Sequence, residues 1–506
     1  MNRREFIHTL AGVGVAGLMP TTATASEDAY FSGHRAALGT DPWLGAFTGV
    51  SGQLDSGPIK FEGSLPRALR GVLYRNGPAM IERAGQRYQH LFDGDGMIQA
   101  YTFSDKGVSH RGRFVRTQKF IREQEAGKFL VSGFGTKING SFPVSGPDAV
   151  NVANTNVVVH GNRLMALWEA GSAHELDPAT LETKGTVTWA RELKGVPFSA
   201  HPKVEADGTL WNFGAFEGVL VLYQIEANGK LVKTAAIKVP GLPMIHDFVV
   251  TARHLVFVLP AMNLSLEKMR GGASLLDSID FPADQAMRVL TIEKGDFSKQ
   301  RFYELPPGFM FHHGNGWEDR DGVIHFDFVS HTAGASFMTQ SMRAMMRGDV
   351  AAMTPAESRS TRVVIDPARN TIRHETRGGV VEFPQIDPRF AAQQNRQLYH
   401  VGVSTAAGVA GNTFAMNTVL REDLDSGKTD SYRFGDGYCL EEHIVVPRPG
   451  SRIEGDGWLV GAAFNAKTVR SELFVFDAQH LADGPIVTAK LPYAVPLGFH
   501  GNFWAA

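Results

Sequence analysis

The stretch Leu222-Tyr-Gln-Ile-Glu-Ala-Asn-Gly229 joins a short run of alternating apolar residues to a turn that ends in Asn-Gly. Alternation places one set of side chains on the buried face of a strand, and Asn-Gly is typical of the reversal between two antiparallel strands. The stretch therefore predicts a β-hairpin. Six further segments repeat the pattern of apolar run and Asp, Asn, Gly or Pro turn, and the full set lies at 101–107, 175–181, 222–229, 289–295, 363–370, 420–427 and 473–479.

Another apolar run precedes six of the seven hairpins, as in Arg163-Leu-Met-Ala-Leu-Trp168 and Leu255-Val-Phe-Val-Leu259. Units of up to four strands, repeated seven times along the chain, predict an all-β fold, a single seven-bladed β-propeller with insertions between blades. A pair of β-sandwiches is the alternative architecture. Hairpins that are so similar and so widely spread fit a radial repeat better.

The composition narrows the class of function. The chain has 506 residues, of which 43% are hydrophobic, and its 50 basic side chains nearly balance 52 acidic ones. A balanced charge argues against a nucleic-acid partner, because a phosphate backbone requires a basic face. The single cysteine, Cys439, excludes an intramolecular disulfide, a cysteine-based zinc site and an iron–sulfur cluster. We therefore expect a hydrophobic small-molecule substrate, and no protein partner is predicted.

The N-terminus has the features of an export signal. Arg3 and Arg4 precede an apolar, glycine-rich run at 10–18, and Ala23-Thr24-Ala25 is a small-x-small cleavage pattern. This order resembles a twin-arginine signal peptide over residues 1–25, with a propeller domain over 26–506. The prediction is a periplasmic or otherwise exported protein, and a cytoplasmic one if the signal is not used.

One segment departs from the strand pattern. Residues 337–346 place Phe337, Met338, Met342 and Met345 near one helical face, beside Arg343. We interpret this segment as a helix that caps the top face of the propeller. The alternative is a methionine-rich surface that contacts substrate or makes a peripheral contact with a membrane.

Four of the 18 histidines have similar surroundings, each where an apolar stretch meets a turn. In a propeller this is where a side chain can point along the central axis. Any one of them alone is more typical of a structural histidine, but as a set they are candidates for a shared site. They are His201, His246, His312 and His500.

Eight short motifs, in order, make the chain after residue 25 resemble the carotenoid cleavage oxygenase family over nearly its whole length. The motifs are Arg75-Asn-Gly-Pro78, Leu91-Phe-Asp-Gly-Asp-Gly-Met97, Ala153-Asn-Thr-Asn156, Ala200-His-Pro-Lys203, His246-Asp-Phe248, Phe311-His-His-Gly-Asn-Gly-Trp-Glu318, Glu382-Phe-Pro-Gln385 and Gly498-Phe-His-Gly501. The resemblance implies a seven-bladed propeller, which agrees with the hairpin count.

The resemblance also implies one non-haem Fe(II) per chain, with four histidine ligands and O2 as co-substrate. Carried over by motif, the ligands are His201, His246, His312 and His500. His313 is adjacent to the third of these, and the family pattern selects His312 because it directly follows the aromatic-x-aromatic run. Neutral imidazoles suit Fe(II) and leave coordination positions for dioxygen.

In the family three glutamates orient the ligand histidines. The matching residues are Glu169, Glu382 and Glu442, and a surface carboxylate is the alternative for each. Apolar neighbours argue against a surface position for Glu169 and Glu382, since an unpaired buried carboxylate is costly. Glu441 is an adjacent alternative to Glu442.

The implied reaction is oxidative cleavage of a carbon–carbon double bond to two carbonyl products. Proximity to the motifs predicts Phe92, Trp168, Phe311 and Phe503 as lining a substrate tunnel, with packing in the core as the alternative. The stilbene-cleaving branch of the family typically has a lysine where Trp168 stands, so an apocarotenoid or carotenoid is favoured over a stilbenoid. A non-catalytic carrier of polyenes and an isomerase are the alternatives of another class.

Overall fold

The computed structural model describes residues 28–142, 144–354, 357–404 and 414–506. The predicted signal peptide at 1–25 lies outside these residues, and export stays a prediction. Seven antiparallel sheets of at least four strands form the blades of a β-propeller. Each of the seven predicted hairpins joins two neighbouring outer strands of one blade, so the fold class is confirmed.

Blades 2 to 6 each consist of four strands in chain order from the inside of the ring to the outside. Blade 2 has Asn156–His160, Arg163–Leu167, His174–Leu176 and Thr183–Thr186; blade 3 has Lys203–Val204, Leu210–Phe216, Val219–Ile225 and Leu231–Lys238; blade 4 has Val249–Val250, His254–Leu259, Met287–Glu293 and Gln300–Leu305; blade 5 has Phe309–Glu318, Ile324–His331, Ser358–Asp366 and Thr371–Arg377; blade 6 has Val381–Gln385, Gln397–Gly402, Thr418–Asp423 and Thr429–Arg433.

Blades 1 and 7 close the ring, because each combines strands from both ends of the chain. In blade 1 the C-terminal strand pairs with a strand near the N-terminus, and the order from the inside outward is His500–Ala505, Gly71–Met80, Asp95–Ser104, Gly107–Phe114 and Leu54–Ile59. In blade 7 the inner strands Tyr438–Leu440 and Ile444–Pro447 both pair with Gly457–Asn465, which is followed outward by Arg470–Asp477, Val487–Lys490 and Phe61–Gly63. Two-stranded pairs outside the blades are Glu82–Arg83 with Gln86–Arg87 and Asn263–Leu264 with Ile279–Asp280.

Large apolar side chains fill the spaces between adjacent blades. Phe213 of blade 3, for example, packs edge-on against Phe257 of blade 4, with ring centroids 5.4 Å apart. Both rings are fully buried, and burial of one such side chain stabilises the fold by about 1.5–3 kcal/mol. These contacts fix the inner strands relative to one another, and the inner strands carry the functional side chains.

Helices are few and short in the part of the chain that the structure describes. The α-helices there are Ala29–Ala37, Gln118–Ala126, Leu266–Arg270, Gly334–Ser336 and Met342–Arg347; the 3-10 turns are Pro42–Phe47, Leu91–Asp93, Pro147–Ala149, Arg191–Leu193, Leu276–Ser278, Val350–Ala352, Pro388–Phe390 and Leu481–Asp483. None of the helices in the described part of the chain has the length and apolar character needed to span a bilayer.

The predicted helix at 337–346 is confirmed, but it is not a uniform α-helix. Its first turn, Phe337–Ser341, is a π-helix, and Met342–Arg347 continues as an α-helix. Met338, Met342 and Met345 are buried as predicted. Phe337 and Met338 belong to an aromatic cluster that includes Phe311, so the segment covers the part of the propeller where the candidate histidines lie.

Candidate metal centre

The structure brings the four candidate histidines together from four different blades. His500 begins the inner strand of blade 1, His201 and His246 directly precede the first strands of blades 3 and 4, and His312 lies in the inner strand of blade 5. One nitrogen of each lies within 4.8 Å of the others. The Nε2 atom of His246 is 3.0 Å from that of His201 and 3.1 Å from that of His312. This convergence of buried imidazole nitrogens is a site for one metal ion.

The three candidate glutamates lie on the outer side of this cluster. Glu169 accepts a hydrogen bond from His246 Nδ1, Glu382 Oε2 accepts from His312 Nδ1 at 2.5 Å, and Glu442 Oε1 accepts from His500 Nδ1 at 2.9 Å. Because Nδ1 donates its proton to a carboxylate, the Nε2 lone pair faces the centre. The glutamates come from blades 2, 6 and 7, so every blade contributes one residue to the site.

The electrostatics differ between the histidines. Burial lowers the pKa of His500 to about 4, and burial together with the neighbouring histidines lowers the pKa of His201 well below its usual range. At His246 burial also acts to lower the pKa, but the adjacent Glu169 outweighs it and raises this pKa. Burial alone would raise the pKa of Glu442, but His500 and Arg75 outweigh it and lower this pKa to about 2. His201 and His500 therefore offer a metal uncharged nitrogen donors, with the negative charge of Glu442 on the far side of the His500 ring.

The structure distinguishes each candidate from its neighbour in sequence. His313 points away from the centre: its Nδ1 lies 3.2 Å from the carbonyl oxygen of Asp327 in blade 5. Glu441 lies beside Glu442 but accepts hydrogen bonds from Arg75 and from the backbone N–H of Gly498. The selection of His312 and Glu442 therefore agrees with the geometry.

Arg75, whose functional contacts the sequence did not show, connects the two glutamates of blade 7. It is fully buried, donates from Nε to Glu441 at 3.0 Å, and donates from Nη1 to Glu442 at 2.6 Å. Its Nη2 also donates to the carbonyl of Phe499 at 3.0 Å. Arg75 thereby fixes the carboxylate that orients His500. Its presence in the Arg75-Asn-Gly-Pro78 motif was the available signal.

An aromatic cluster adjoins the metal centre, and two of the predicted tunnel residues, Phe92 and Phe311, belong to it. The Phe311 ring lies edge-on to His246 with centroids 5.4 Å apart, and it contacts Phe92 at 6.4 Å. The cluster also contains Phe337 of the cap and three aromatic residues that the sequence did not single out, which are Phe134, Phe309 and Phe499.

The structure does not bring Phe503 to the aromatic cluster, which corrects that prediction. Phe503 packs in the core of blades 1 and 7, 5.9 Å from Phe103. The reason is the strand period: His500 and Phe503 are three residues apart in one strand, so their side chains point to opposite faces. Phe499, which precedes the strand, contacts Phe92 at 5.6 Å and belongs to the aromatic cluster.

Trp168 directly precedes Glu169 and is half-buried. Its ring lies against Gly171, where an added Cβ would be 3.0 Å from the indole. The role of Trp168 in lining a substrate tunnel stays a prediction.

Phe383 forms a wall of the centre that the sequence did not reveal. Its ring stacks on His312 with centroids 5.1 Å apart and lies 5.4 Å from His500. The backbone at Phe383 has φ 52°, which is costly for a bulky residue. The Phe383 N–H also donates to the carboxylate of Glu382. The unusual backbone conformation therefore lies next to a glutamate of the centre.

The fold and site define a class of protein: a β-propeller in which four histidines converge on a site that could hold one metal ion. Residues 49–505 match the family model described as retinal pigment epithelial membrane protein. The chain is 31% identical over 503 residues to the apocarotenoid-15,15'-oxygenase of Synechocystis sp., covering 96% of this chain and 99% of that protein. It therefore belongs to the carotenoid cleavage oxygenase family, and it is an oxygenase of that family.

One further relative and one solved structure are named for different substrates. The chain is 30% identical over 465 residues to lignostilbene-alpha,beta-dioxygenase isozyme III of Sphingomonas paucimobilis, covering 88% of this chain and 93% of that protein. The structure of cobalt-substituted Synechocystis apocarotenoid oxygenase matches with a TM-score of 0.83 at 30% identity, over 92% of this chain and 98% of that one. Relatives named for different substrates are thus similar to a comparable degree.

Proposed function

We propose that this protein is a non-haem Fe(II) dioxygenase that cleaves a carbon–carbon double bond of an apocarotenoid or carotenoid to two carbonyl products, with O2 as co-substrate. The observation that carries the proposal is the four-histidine centre beside the aromatic cluster, which we interpret as the lining of a substrate pocket. The similarity to a protein named apocarotenoid-15,15'-oxygenase supports the substrate class.

The donor set fits Fe(II). Imidazole nitrogen suits this borderline ion, and the four histidines His201, His246, His312 and His500 would hold it. When bound, Fe(II) supplies the activation of dioxygen. The chain's own part is to orient the imidazoles, which it does through Glu169, Glu382 and Glu442.

The aromatic pocket would position the substrate and exclude water. Phe311 contacts a ligand histidine on one side and Phe92 and Phe337 on others. An extended polyene offers only apolar surface along most of its length, so aromatic walls match it. Selection of one double bond then depends on how far the chain enters the pocket, because reaction requires the bond to lie close to the metal.

A parallel assay tests this function. The Fe(II)-loaded protein is incubated with an apocarotenal and with a hydroxystilbene under oxygen-18 gas, and product masses are measured. We expect labelled carbonyl fragments from the polyene. Cleavage of the stilbene alone would show that the substrate is a stilbenoid and that the reaction type is still oxidative cleavage of a double bond. Absence of cleavage with iron bound would overturn the dioxygenase and favour a non-catalytic carrier of polyenes.

Stilbenoid cleavage is the second candidate, supported by the similarity to the lignostilbene dioxygenase. Trp168 separates the two candidates, because its large apolar indole suits a polyene, whereas a lysine at this position would offer a charged donor to a phenol oxygen. We expect Trp168→Lys to raise kcat/KM for a hydroxystilbene relative to an apocarotenal by about 10- to 100-fold, since a charged hydrogen bond contributes about 1.5–3 kcal/mol.

The matched control for this prediction is Trp168→Leu, which removes the indole without adding a donor. It should lower activity on the polyene without raising activity on the stilbene. Equal changes in kcat/KM for both substrates in Trp168→Lys would show that this position does not discriminate between them.

We also propose a peripheral membrane contact at the rim of the aromatic pocket. Segment 130–142 contacts segment 263–280, since Leu276 N–H donates to the carbonyl of Phe134 at 2.9 Å. Both Phe134 and Leu276 belong to the pocket cluster. Three large apolar side chains on these segments are exposed, Phe142 by 59%, Leu264 by 51% and Leu275 by 38%. Exposed apolar residues here would bring the pocket to a lipid-dissolved substrate.

We expect Phe142→Ser combined with Leu264→Ser to lower binding to vesicles of phosphatidylcholine and phosphatidylglycerol about threefold or more, as measured by flotation. Ile453→Ser is the matched control. Ile453 is 67% exposed and lies in the connection after Ile444–Pro447, at the opposite end of that strand from Glu442. Equal binding by all variants would exclude this rim as the membrane contact.

A further inference from the structure

Glu382 is hydrogen-bonded to two histidines, only one of which belongs to the metal-binding set. Its Oε2 accepts from His312 Nδ1 at 2.5 Å. Its Oε1 lies 2.7 Å from Nε2 of His331. His331 is the last residue of the second strand of blade 5 and is 4% exposed. Since an ionised carboxylate only accepts hydrogen bonds, His331 donates from Nε2.

The contact matters because Glu382 is itself buried. It is 5% exposed, and leaving one of its oxygens without a donor would cost the full desolvation of that atom. The equivalent oxygen of Glu442 has Arg75 and the backbone N–H of Gly501 as donors, at 2.6 and 3.1 Å. His331 therefore donates to Glu382 as Arg75 donates to Glu442.

His331 also contacts the pocket walls. Its ring lies edge-on to Phe311 with centroids 5.4 Å apart, and 6.1 Å from Phe337 of the cap. A shift of Phe311 or Phe337 would therefore displace His331, which donates a hydrogen bond to Glu382. The position connects the packing of the substrate pocket to the orientation of a metal ligand.

We propose that His331 is a positioning residue of the metal centre. By donating to Oε1, it fixes the rotation of the Glu382 carboxylate so that Oε2 meets His312 Nδ1, and His312 Nε2 then faces the metal. The inference rests on the four histidines binding a metal and is independent of which alkene is the substrate.

A matched pair of polar variants tests this role. In His331→Gln the side-chain amide can reach the place of Nε2, whereas in His331→Asn the donor is too close to the backbone to reach it. We expect Asn to weaken Co(II) binding about 10- to 100-fold, as measured by competition with a chelator, because loss of an outer partner of a ligand has this size of effect. Gln should retain affinity within about threefold of the wild type.

The visible absorption of the Co(II)-loaded protein provides a second readout, because its bands report ligand geometry. We expect shifted bands in His331→Asn and wild-type bands in His331→Gln. His110→Asn controls for the loss of any buried histidine: His110 is 2% exposed and bonded to Gln99 and Tyr493 in the outer part of blade 1. It should lower stability and leave both Co(II) readouts unchanged.

The outcomes separate this inference from the proposed function. Wild-type Co(II) affinity and bands in His331→Asn would overturn the role of His331 and leave the centre intact. Failure of the wild-type protein to bind Co(II) would overturn the metal centre and this inference with it. If His331→Asn does not fold, loss of affinity in folded His331→Gln would also contradict the proposal, because Gln retains the donor.

Discussion

Replacement of His312 by alanine is expected to abolish metal binding at the centre and reduce oxygenase activity to background. His312 supplies one of four converging nitrogens, and its Nε2 is 3.1 Å from that of His246. Its removal also leaves Glu382, a buried carboxylate, without the donor at Oε2 that His312 provides. The measurement is metal content by mass spectrometry after loading with Fe(II), together with a Co(II) titration.

The control for this prediction is the adjacent histidine. His313→Ala removes a ring of similar burial that bonds to the carbonyl of Asp327. We expect a loss of stability with one bound metal ion retained. Metal binding that survives in His312→Ala and disappears in His313→Ala would reverse the assignment of the third ligand.

The fold could be predicted from the sequence because its signals are local. Each hairpin is encoded by a few residues, as in the turn between Val219–Ile225 and Leu231–Lys238, and repetition of the unit leaves few architectures. What the hairpins do not encode is ring closure. Pairing of His500–Ala505 with Gly71–Met80 joins opposite ends of the chain, and short-range patterns carry no information about it.

The site was predictable only in part, for the same reason. The ligands and their glutamates occur in motifs that a family resemblance can carry over. His331 and Glu382 are 51 residues apart, and Arg75 and Glu442 are 367 apart. These contacts depend on which blades are neighbours in the closed ring. Phe503 was misplaced because closeness in sequence to His500 does not determine the face of the strand.

The distribution of the site over the ring has a mechanical consequence. Four blades supply ligands and three supply the glutamates, so no single blade can move without displacing one donor or its acceptor. Packing between blades, as in the contact of Phe213 with Phe257, therefore contributes to metal geometry as well as to stability. Destabilising changes far from the centre should consequently lower metal affinity.

Replacement of Arg75 by methionine is expected to have the largest effect on stability. Glu441 and Glu442 are buried, with side chains 2% and 3% exposed, and both lie within 3.0 Å of the guanidinium. Methionine fills much of the space but leaves two buried carboxylates without their cation, and breaking a buried ion pair in this way costs about 3–5 kcal/mol. The free energy of unfolding in urea and the affinity for Co(II) should both fall.

Three further variants define the cause of that loss. Arg75→Lys keeps the charge but cannot reach both carboxylates with a planar fork, so its stability should be intermediate. Adding Glu441→Gln to Arg75→Met removes one of the two buried charges and should restore part of the stability. Arg396→Met, which breaks an ion pair of Arg396 with Asp423 on the surface, should cost less than about 1 kcal/mol. If Arg75→Met is no less stable than Arg396→Met, the buried arginine does not hold the glutamates, and Glu442 is held by its other donors, the Gln385 side chain and the Gly501 N–H.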